Sequence, residues 1–130
     1  METVKKIITI PSNTKKVFQQ YLSLTKPLHG LRPLEIKVVS LFLYYNLMER
    51  DNFKRDEDRW DKLFSYDYKL KIRDDLGIKD HTLQNLLSSL RKKGVILNKT
   101  IAPYYVPQIV EGTTNFQLIY NFDIKYESGE

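Results

Sequence analysis

Apolar residues recur at helical spacing in the second quarter of the chain. Four of them are three or four residues apart and therefore share one face of a helix: Ile36, Val39, Leu43 and Leu47. A second set widens this apolar stripe beyond one face: Val38, Leu41 and Phe42. Pro33 suits the first turn because it has no amide proton to leave unpaired. The pattern predicts a central core helix over residues 33–49.

The same spacing predicts two shorter helices separated by a tight turn. The first covers residues 67–76, and Gly77 suits a left-handed cap at its carboxyl end. The second covers residues 81–93, with Asp80 as a cap before it and Gly94 after it. Its apolar stripe consists of Leu83, Leu86, Leu87 and Leu90. We expect these leucines to pack in one core with Val39, Leu43 and Leu76.

Strand-like and irregular segments surround these helices. Residues 4–10 predict a short strand or extended arm that ends at Pro11, followed by a helix from about residue 12 to 25 with a cap at Ser12, Asn13 or Thr14. The highly charged residues 50–62 predict a surface loop leading into a helical turn. Residues 95–97 predict a strand, and apolar residues alternate with others over 116–124 as in a second strand. We expect these two strands to pair antiparallel across the long connection 99–115.

A chain of 130 residues has room for one ordinary domain with short tails. The predicted fold is mainly α with a small β wing, an α+β class. The expected organisation is a basic amino-terminal arm and helix over residues 1–30, a main domain over 31–124 and an acidic tail over 125–130. The longest apolar run has 8 residues, too short to cross a bilayer, and no apolar stretch of signal-peptide length follows Met1. These features predict a cytoplasmic protein of a bacterium or an infected host cell.

The central motif resembles the helix-turn-helix and first wing strand of winged-helix domains. It begins with Asp75-Leu76-Gly77-Ile78 and Thr82, continues through the spaced leucines, and ends with Arg91-Lys92-Lys93-Gly94-Val95-Ile96. About 25 residues match strongly, and about 90 match in the order of elements. The resemblance implies a winged helix-turn-helix whose third helix enters the major groove of duplex DNA. It therefore implies a small DNA-binding regulator or replication accessory that uses residues 68–93.

Residues 68–93 contain seven basic and three acidic side chains, which favours an anionic partner. On the resemblance, the residues directed away from the leucine stripe would face DNA: His81, Thr82, Gln84, Asn85, Ser88, Arg91 and Lys92. Gln84 and Asn85 have the donor and acceptor pair that suits adenine. Arg91, Lys92, Lys93, Lys69 and Lys71 could hold phosphates. The alternative is an ordinary solvated polar face.

The predicted wing departs from the DNA-binding pattern, because residues 100–124 contain no Lys or Arg. Its aromatic stretch suits a protein surface, with Tyr104, Tyr105 and Val106 as candidate interface residues. These residues could equally fold back over the core of their own domain. The interface interpretation gives a second hypothesis, a structural or assembly module such as an accessory component of a phage virion. Its partners would be protein subunits, and self-association into a homo-oligomer is compatible with it.

Catalytic and cofactor motifs are missing from the sequence. The five glycines form no phosphate-binding loop, dinucleotide fingerprint or nucleophile elbow. The chain has no cysteine, and its two histidines, His29 and His81, are far apart, so neither a zinc site nor another cofactor is predicted. We expect a non-enzymatic protein without a small-molecule substrate. The abundance of Lys, Ile, Asn and Tyr, with a single alanine, resembles proteins of AT-rich genomes such as those of many bacteriophages.

Overall fold

The computed structural model describes residues 2–127; Met1 and residues 128–130 of the predicted acidic tail lie outside the described part. In chain order, the helices are α1 (Val17–Leu24), α2 (Lys26–His29), α3 (Pro33–Met48), α4 (Asp56–Leu63), α5 (Tyr66–Leu76) and α6 (Asp80–Lys92). Two short strands follow, β1 (Ile96–Leu97) and β2 (Thr100–Ile101), and then a single 3₁₀ turn over Pro103–Tyr105. The described residues are thus mainly helical with a small antiparallel sheet, as the α+β prediction requires.

Helix α3 is the centre of the molecule, and α1, α4, α5 and α6 all pack against it. The predicted span of 33–49 is confirmed to within one residue, with Pro33 in its first turn. The Glu35 carboxylate accepts the Arg32 amide proton at 2.9 Å, which satisfies one of the unpaired donors at the start of the helix. Because α3 is buried on most sides, apolar residues occupy nearly every face of it.

The two predicted helices on either side of a tight turn are present as α5 and α6. Gly77 ends α5 with φ +64°, a left-handed conformation that costs glycine little because it has no Cβ. Asp80 does not cap α6 as expected; it is the first residue of α6, and its carboxylate accepts a hydrogen bond from Arg73 at 2.8 Å. The predicted core leucines of α6 are buried, as are Val39 and Leu43, whereas Leu76 is half-buried at the edge of the same core.

Helices α1 and α4 differ from their predictions. Helix α1 begins at Val17, later than expected, because the Asn13 side chain accepts the amide protons of Lys15 and Lys16 and forms a turn before it. The predicted surface loop over 50–62 instead contains the two-turn helix α4. Three acidic residues in its first turn favour the helix electrostatically, and Trp60 and Leu63 anchor it in the core.

The predicted wing is wrong in its second strand. Ile96 and Leu97 pair with Ile101 and Thr100 across a two-residue turn, and residues 116–124 form no strand. Asn98 makes the short turn possible because it adopts φ +56°, a left-handed conformation that Asn tolerates well. Closing a two-residue turn also costs less chain entropy than closing a connection of more than fifteen residues.

The chain beyond β2 first covers the core and then leaves it. Pro107 and Ile109 are buried, so residues 102–109 close the body of the protein. From Val110 to Glu127 almost every side chain is exposed, and no helix or strand forms. Residues 4–10 form no strand either; this arm is extended and fully exposed.

Candidate nucleic-acid interface

Helix α6 presents a continuous polar face opposite its buried leucines. The exposed candidates on it are His81, Gln84, Asn85, Ser88, Arg91 and Lys92, while Thr82 is half-buried. Gln84, Ser88 and Arg91 follow one another at helical spacing, so they form a single row along the helix. The structure therefore brings seven of the nine predicted DNA-contacting residues together on one helix.

A cluster of three cations lies beside this row, and we call it the basic cluster: Lys69 on α5, Arg91 on α6 and Lys99 in the turn between β1 and β2. Lys69 is half-buried, and burial is the main cause that lowers the pKa of its ammonium group. The positive charges of Arg91 and Lys99 lower this pKa further. Lys69 is thus close enough to both Arg91 and Lys99 to be repelled by them, although the three residues come from different elements.

One acidic residue faces the basic cluster. The Lys99 ammonium group lies 3.7 Å from the Asp61 carboxylate on α4, and both side chains are mostly exposed. An exposed ion pair of this kind contributes little to stability and exchanges readily with solvent ions. Asp61 therefore reduces the positive potential of the cluster without closing it to a ligand.

Lys71 does not belong to the same surface as Lys69. Two residues apart on α5, the two side chains point to different sides of the helix. The Lys71 ammonium group lies 4.7 Å from the ring centre of Tyr45 and 5.5 Å from that of Tyr68, a cation–π arrangement. Lys71 therefore lies over the tyrosine rings that α3 and α5 provide.

The two tyrosines under Lys71 are held by carboxylates. The Tyr45 hydroxyl donates a hydrogen bond to Asp75, and the Tyr68 hydroxyl donates one to Glu49 at 2.7 Å. Burial is the first cause that raises the pKa of both tyrosines, and the hydrogen bonds to the carboxylates raise it further. The phenols stay protonated, so this cluster fastens α3 to α5 and has no free charge for a phosphate.

A buried carboxylate sets the position of α6 against α3. The side chain of Glu35 is 0% exposed and accepts hydrogen bonds from the Ser89 hydroxyl at 2.8 Å and the Lys93 ammonium group at 2.7 Å. Burial alone would raise its pKa, but these hydrogen bonds and those from Arg32 outweigh burial and lower the pKa from 4.5 to about 2. The charged carboxylate thus holds the carboxyl-terminal half of α6 in place and fixes how its polar face is presented.

The amino-terminal end of α6 borders an open cleft. His81, Thr82 and Asn85 line its α6 side, and Arg32, Pro33 and Leu34 line the side formed by the start of α3. Asn85 therefore lies at the border between the cleft and the outer row, and Gln84 faces solvent. The adenine-reading pair that the sequence predicts is exposed on adjacent positions.

The candidate protein-interface residues separate into one exposed and two half-buried side chains. Tyr104 is 64% exposed and contacts the ring of Tyr105 edge-to-face, with centroids 5.0 Å apart. Tyr105 and Val106 are half-buried and pack against the core, and Tyr105 also lies 6.1 Å from the His29 ring. Two of the three residues thus cover their own domain, and Tyr104 is the anchor still available for docking.

His29 is the last residue of α2, and both of its ring nitrogens lie against backbone groups. One ring nitrogen, Nε2, lies 2.8 Å from the Leu22 carbonyl, and the other accepts the Leu31 amide proton.

Across residues 2–127, no group of three or more acidic or histidine side chains is arranged to hold a metal ion. No helix in this range is long and apolar enough to span a bilayer.

Lys99 was not among the site residues that the sequence predicted, and Lys93, predicted to hold phosphate, instead binds the Glu35 carboxylate. A signal for Lys99 was present, because Asn98-Lys99 lies between two short apolar segments, as a two-residue hairpin turn requires. No signal indicated that Lys93 would pair with Glu35, since the two are 58 residues apart.

Comparisons of the chain with protein-family models, with curated proteins and with solved structures gave no match.

Proposed function

We propose that the chain is a small winged-helix protein that binds duplex DNA through α6 and the basic cluster. The observation that carries the proposal is the convergence of Lys69, Arg91 and Lys99 from three separate elements beside the polar face of α6. The corrected hairpin strengthens it, because Lys99, the first residue of the predicted connection 99–115, instead lies in the two-residue turn of the wing.

The electrostatics of the cluster favour an anion. Three like charges held close together repel one another, and this repulsion contributes to the lowered pKa of Lys69. A phosphate placed among them would offset the repulsion and favour the charged form of Lys69. Phosphate contacts of this kind supply most of the affinity of DNA-binding proteins and fix their register on the duplex.

The polar row on α6 would then contact base edges. With the basic cluster on the backbone, the helix lies beside the major groove, which is wide enough to admit it. Gln84 and Asn85 are exposed and would read adenine through their paired donor and acceptor groups. We propose no catalytic step and no cofactor for this surface; its role is binding.

The proposal is tested by removing the basic cluster. In the variant Lys69→Ala/Arg91→Ala/Lys99→Ala, we expect affinity for a mixed-sequence duplex to fall and the slope of log K against log salt to flatten by about 2.7, since each lost phosphate contact contributes about 0.9. The matched control is Lys71→Ala, which removes a cation from the same helix but outside the cluster. Equal losses per cation removed in the two variants would show that net charge alone drives binding and would contradict the proposed surface.

Two further variants separate backbone binding from base reading. Asp61→Asn removes the carboxylate beside Lys99 and should tighten binding at low salt. Gln84→Ala/Asn85→Ala should leave the salt slope unchanged and reduce discrimination between preferred and random sequences, because these side chains carry no charge. A selection of bound sequences from a random duplex pool measures the second effect, and an unchanged selected sequence would contradict the role of α6 in reading bases.

A further inference from the structure

Two extended segments of the molecule have strand-like sequences but no strand partner. The arm, residues 4–10, carries Val4 and Ile7 at 88% and 80% exposure. The tail, residues 116–126, carries five alternating apolar residues from Phe116 to Ile124, followed by Tyr126. Within the described part of the chain, the backbone amides of these two segments make no hydrogen bond to other backbone groups. Such segments present free donors and acceptors together with apolar side chains, which is the condition for strand addition.

Only the first half of the tail contacts the body. Phe116 packs edge-to-face on Tyr21 of α1 with ring centroids 5.8 Å apart, and the Tyr120 hydroxyl donates a hydrogen bond to the Leu24 carbonyl. Beyond this point Phe122 and Ile124 are 82% and 71% exposed. The contacts with α1 therefore fix the direction of the tail and leave its apolar second half in solvent.

We propose that the arm of one copy of the chain pairs as an antiparallel strand with the tail of a second copy. The register that we propose places Ile8 opposite Tyr120 and Ile10 opposite Leu118, so that these apolar side chains share one face. Lys6 lies on the same face opposite Phe122, where its aliphatic stem packs on the ring. The same register places Val4 opposite Ile124 and Lys5 opposite Asp123. Side chains alternate between faces along a strand, so a shift by one residue would lose both matches.

Charge indicates a second copy as the occupant. The arm carries Lys5 and Lys6 beside its isoleucines, whereas the tail carries Asp123 and Glu127 with Lys125 between them. Lys125 lies 3.5 Å from Asp123 in an exposed ion pair, which a second cation from the arm can join or replace. Opposite charges on facing strands stabilise the antiparallel pairing, and a parallel pairing would separate them. Among the described residues, no hydrogen bond, ion pair or aromatic contact joins the arm and the tail of the same chain.

A closed dimer forms when each of two copies provides its arm to the other copy and receives the arm of that copy. Two equivalent strand pairs then form about a twofold axis, the commonest symmetry of protein assemblies. Both segments become paired, and the exposed apolar residues of both tails gain apolar neighbours on the facing strand. The surface formed by α6 and the basic cluster takes no part in this contact.

Cysteine cross-linking tests the register directly, because the natural chain has no cysteine. The proposed pairing places Ile7 opposite Asn121 on the less apolar face. Chains carrying Ile7→Cys and chains carrying Asn121→Cys, mixed and mildly oxidised, should give a disulfide-linked heterodimer. Ile7→Cys mixed with Ser23→Cys, an exposed position on α1, is the matched control and should give little cross-linked product. Equal cross-linking in both mixtures would overturn the proposal.

A double variant, Ile7→Cys/Asn121→Cys, distinguishes pairing within one chain from pairing between chains. Exchange between copies predicts covalent dimers, and a monomer with an internal disulfide would overturn it. Charge reversal gives an independent test: Lys5→Glu and Asp123→Lys should each weaken dimerisation about tenfold, and the two together should restore it. Sedimentation equilibrium measures both, and a wild-type chain that stays monomeric at high micromolar concentration would also overturn the proposal. Circular dichroism checks that each variant keeps its helices. We expect the helices to be unchanged, because the substituted side chains are exposed and do not contribute to helix packing.

Discussion

Helix α6 and the tail segment 116–124 both have a regular apolar pattern, but only one of them adopts the structure that its pattern predicts. The leucines of α6 recur at helical spacing and are buried, and the helix spans Asp80–Lys92. The apolar residues of the tail alternate as in a strand, yet the segment forms none. The difference is that a helix satisfies its hydrogen bonds within its own chain segment, whereas a strand needs a partner. Periodicity is therefore sufficient evidence for α6 and insufficient for the tail.

The largest expected effect on stability is in the buried leucine stripe of α6. Leu87 is fully buried under α6, so Leu87→Ala removes packed methyl groups and leaves a cavity. We expect a loss of roughly 2 to 5 kcal/mol in the free energy of unfolding. Denaturant unfolding followed by circular dichroism measures it, and a loss below about 0.5 kcal/mol would show that the leucine register is wrong.

The next effect concerns the clasp between α3 and α6, which consists of Glu35 with Ser89 and Lys93. Because the folded pKa of Glu35 lies below its ordinary value of 4.5, the charged carboxylate stabilises the fold above that pH, and this contribution is lost as pH falls towards 2. We expect Glu35→Gln to lose roughly 2 to 3 kcal/mol at pH 7 and to approach wild type in strongly acidic solution. Unfolding curves of both proteins across this pH range measure the difference, and a constant difference would contradict the clasp.

A smaller effect separates the two adjacent tyrosines of the 3₁₀ turn. Tyr105 packs against the core and His29, whereas Tyr104 is mostly exposed. We expect Tyr105→Ser to cost roughly 1 to 2 kcal/mol and Tyr104→Ser to have little effect on unfolding. If both substitutions are neutral, residues 102–109 do not cover the core, and Tyr105 becomes available for docking as well.

The smallest effect is expected in the tail. Phe122 is exposed in the single chain, so Phe122→Ala should change the free energy of unfolding by less than about 0.5 kcal/mol when the protein is dilute enough to be monomeric. A loss comparable to that of Leu87→Ala would mean that the tail packs on its own body. That result would remove the contrast between the two regions.

Helices were predictable from the sequence wherever one apolar stripe faces one core. The spans of α3, α5 and α6 agree with prediction to within one residue, because leucine spacing and Gly77 define them locally. Helix α4 was missed because its sequence is charged, and its stability depends on Trp60 and Leu63 reaching a core formed elsewhere. The pairing of β1 with β2 was not predicted, because the alternating pattern over 116–124 is longer. It favoured that segment as the second strand over the two residues that follow the turn at Asn98.

The candidate site was predictable as a helix face but not as a charge cluster. The outward positions of α6 follow from its leucine stripe, so His81 to Lys92 were placed correctly as a surface. Lys71 was grouped with Lys69 by proximity in sequence, although the tyrosine rings that engage it come from α3 as well as from α5. Lys99 joins the cluster only through the local hairpin turn, and its closeness to Lys69 depends on how that hairpin packs beside α5, which residue spacing does not encode.

The most direct measurement of the central claim is binding of the wild-type chain to a mixed-sequence duplex over a range of salt concentrations. Three phosphate contacts from the basic cluster predict a slope of log K against log salt of about −2.7 or steeper. They also predict detectable binding in the micromolar range at low salt. Binding weaker than about 10⁻⁴ M at low salt, or a slope near zero, would contradict the assignment of α6 and the basic cluster as a DNA-binding surface.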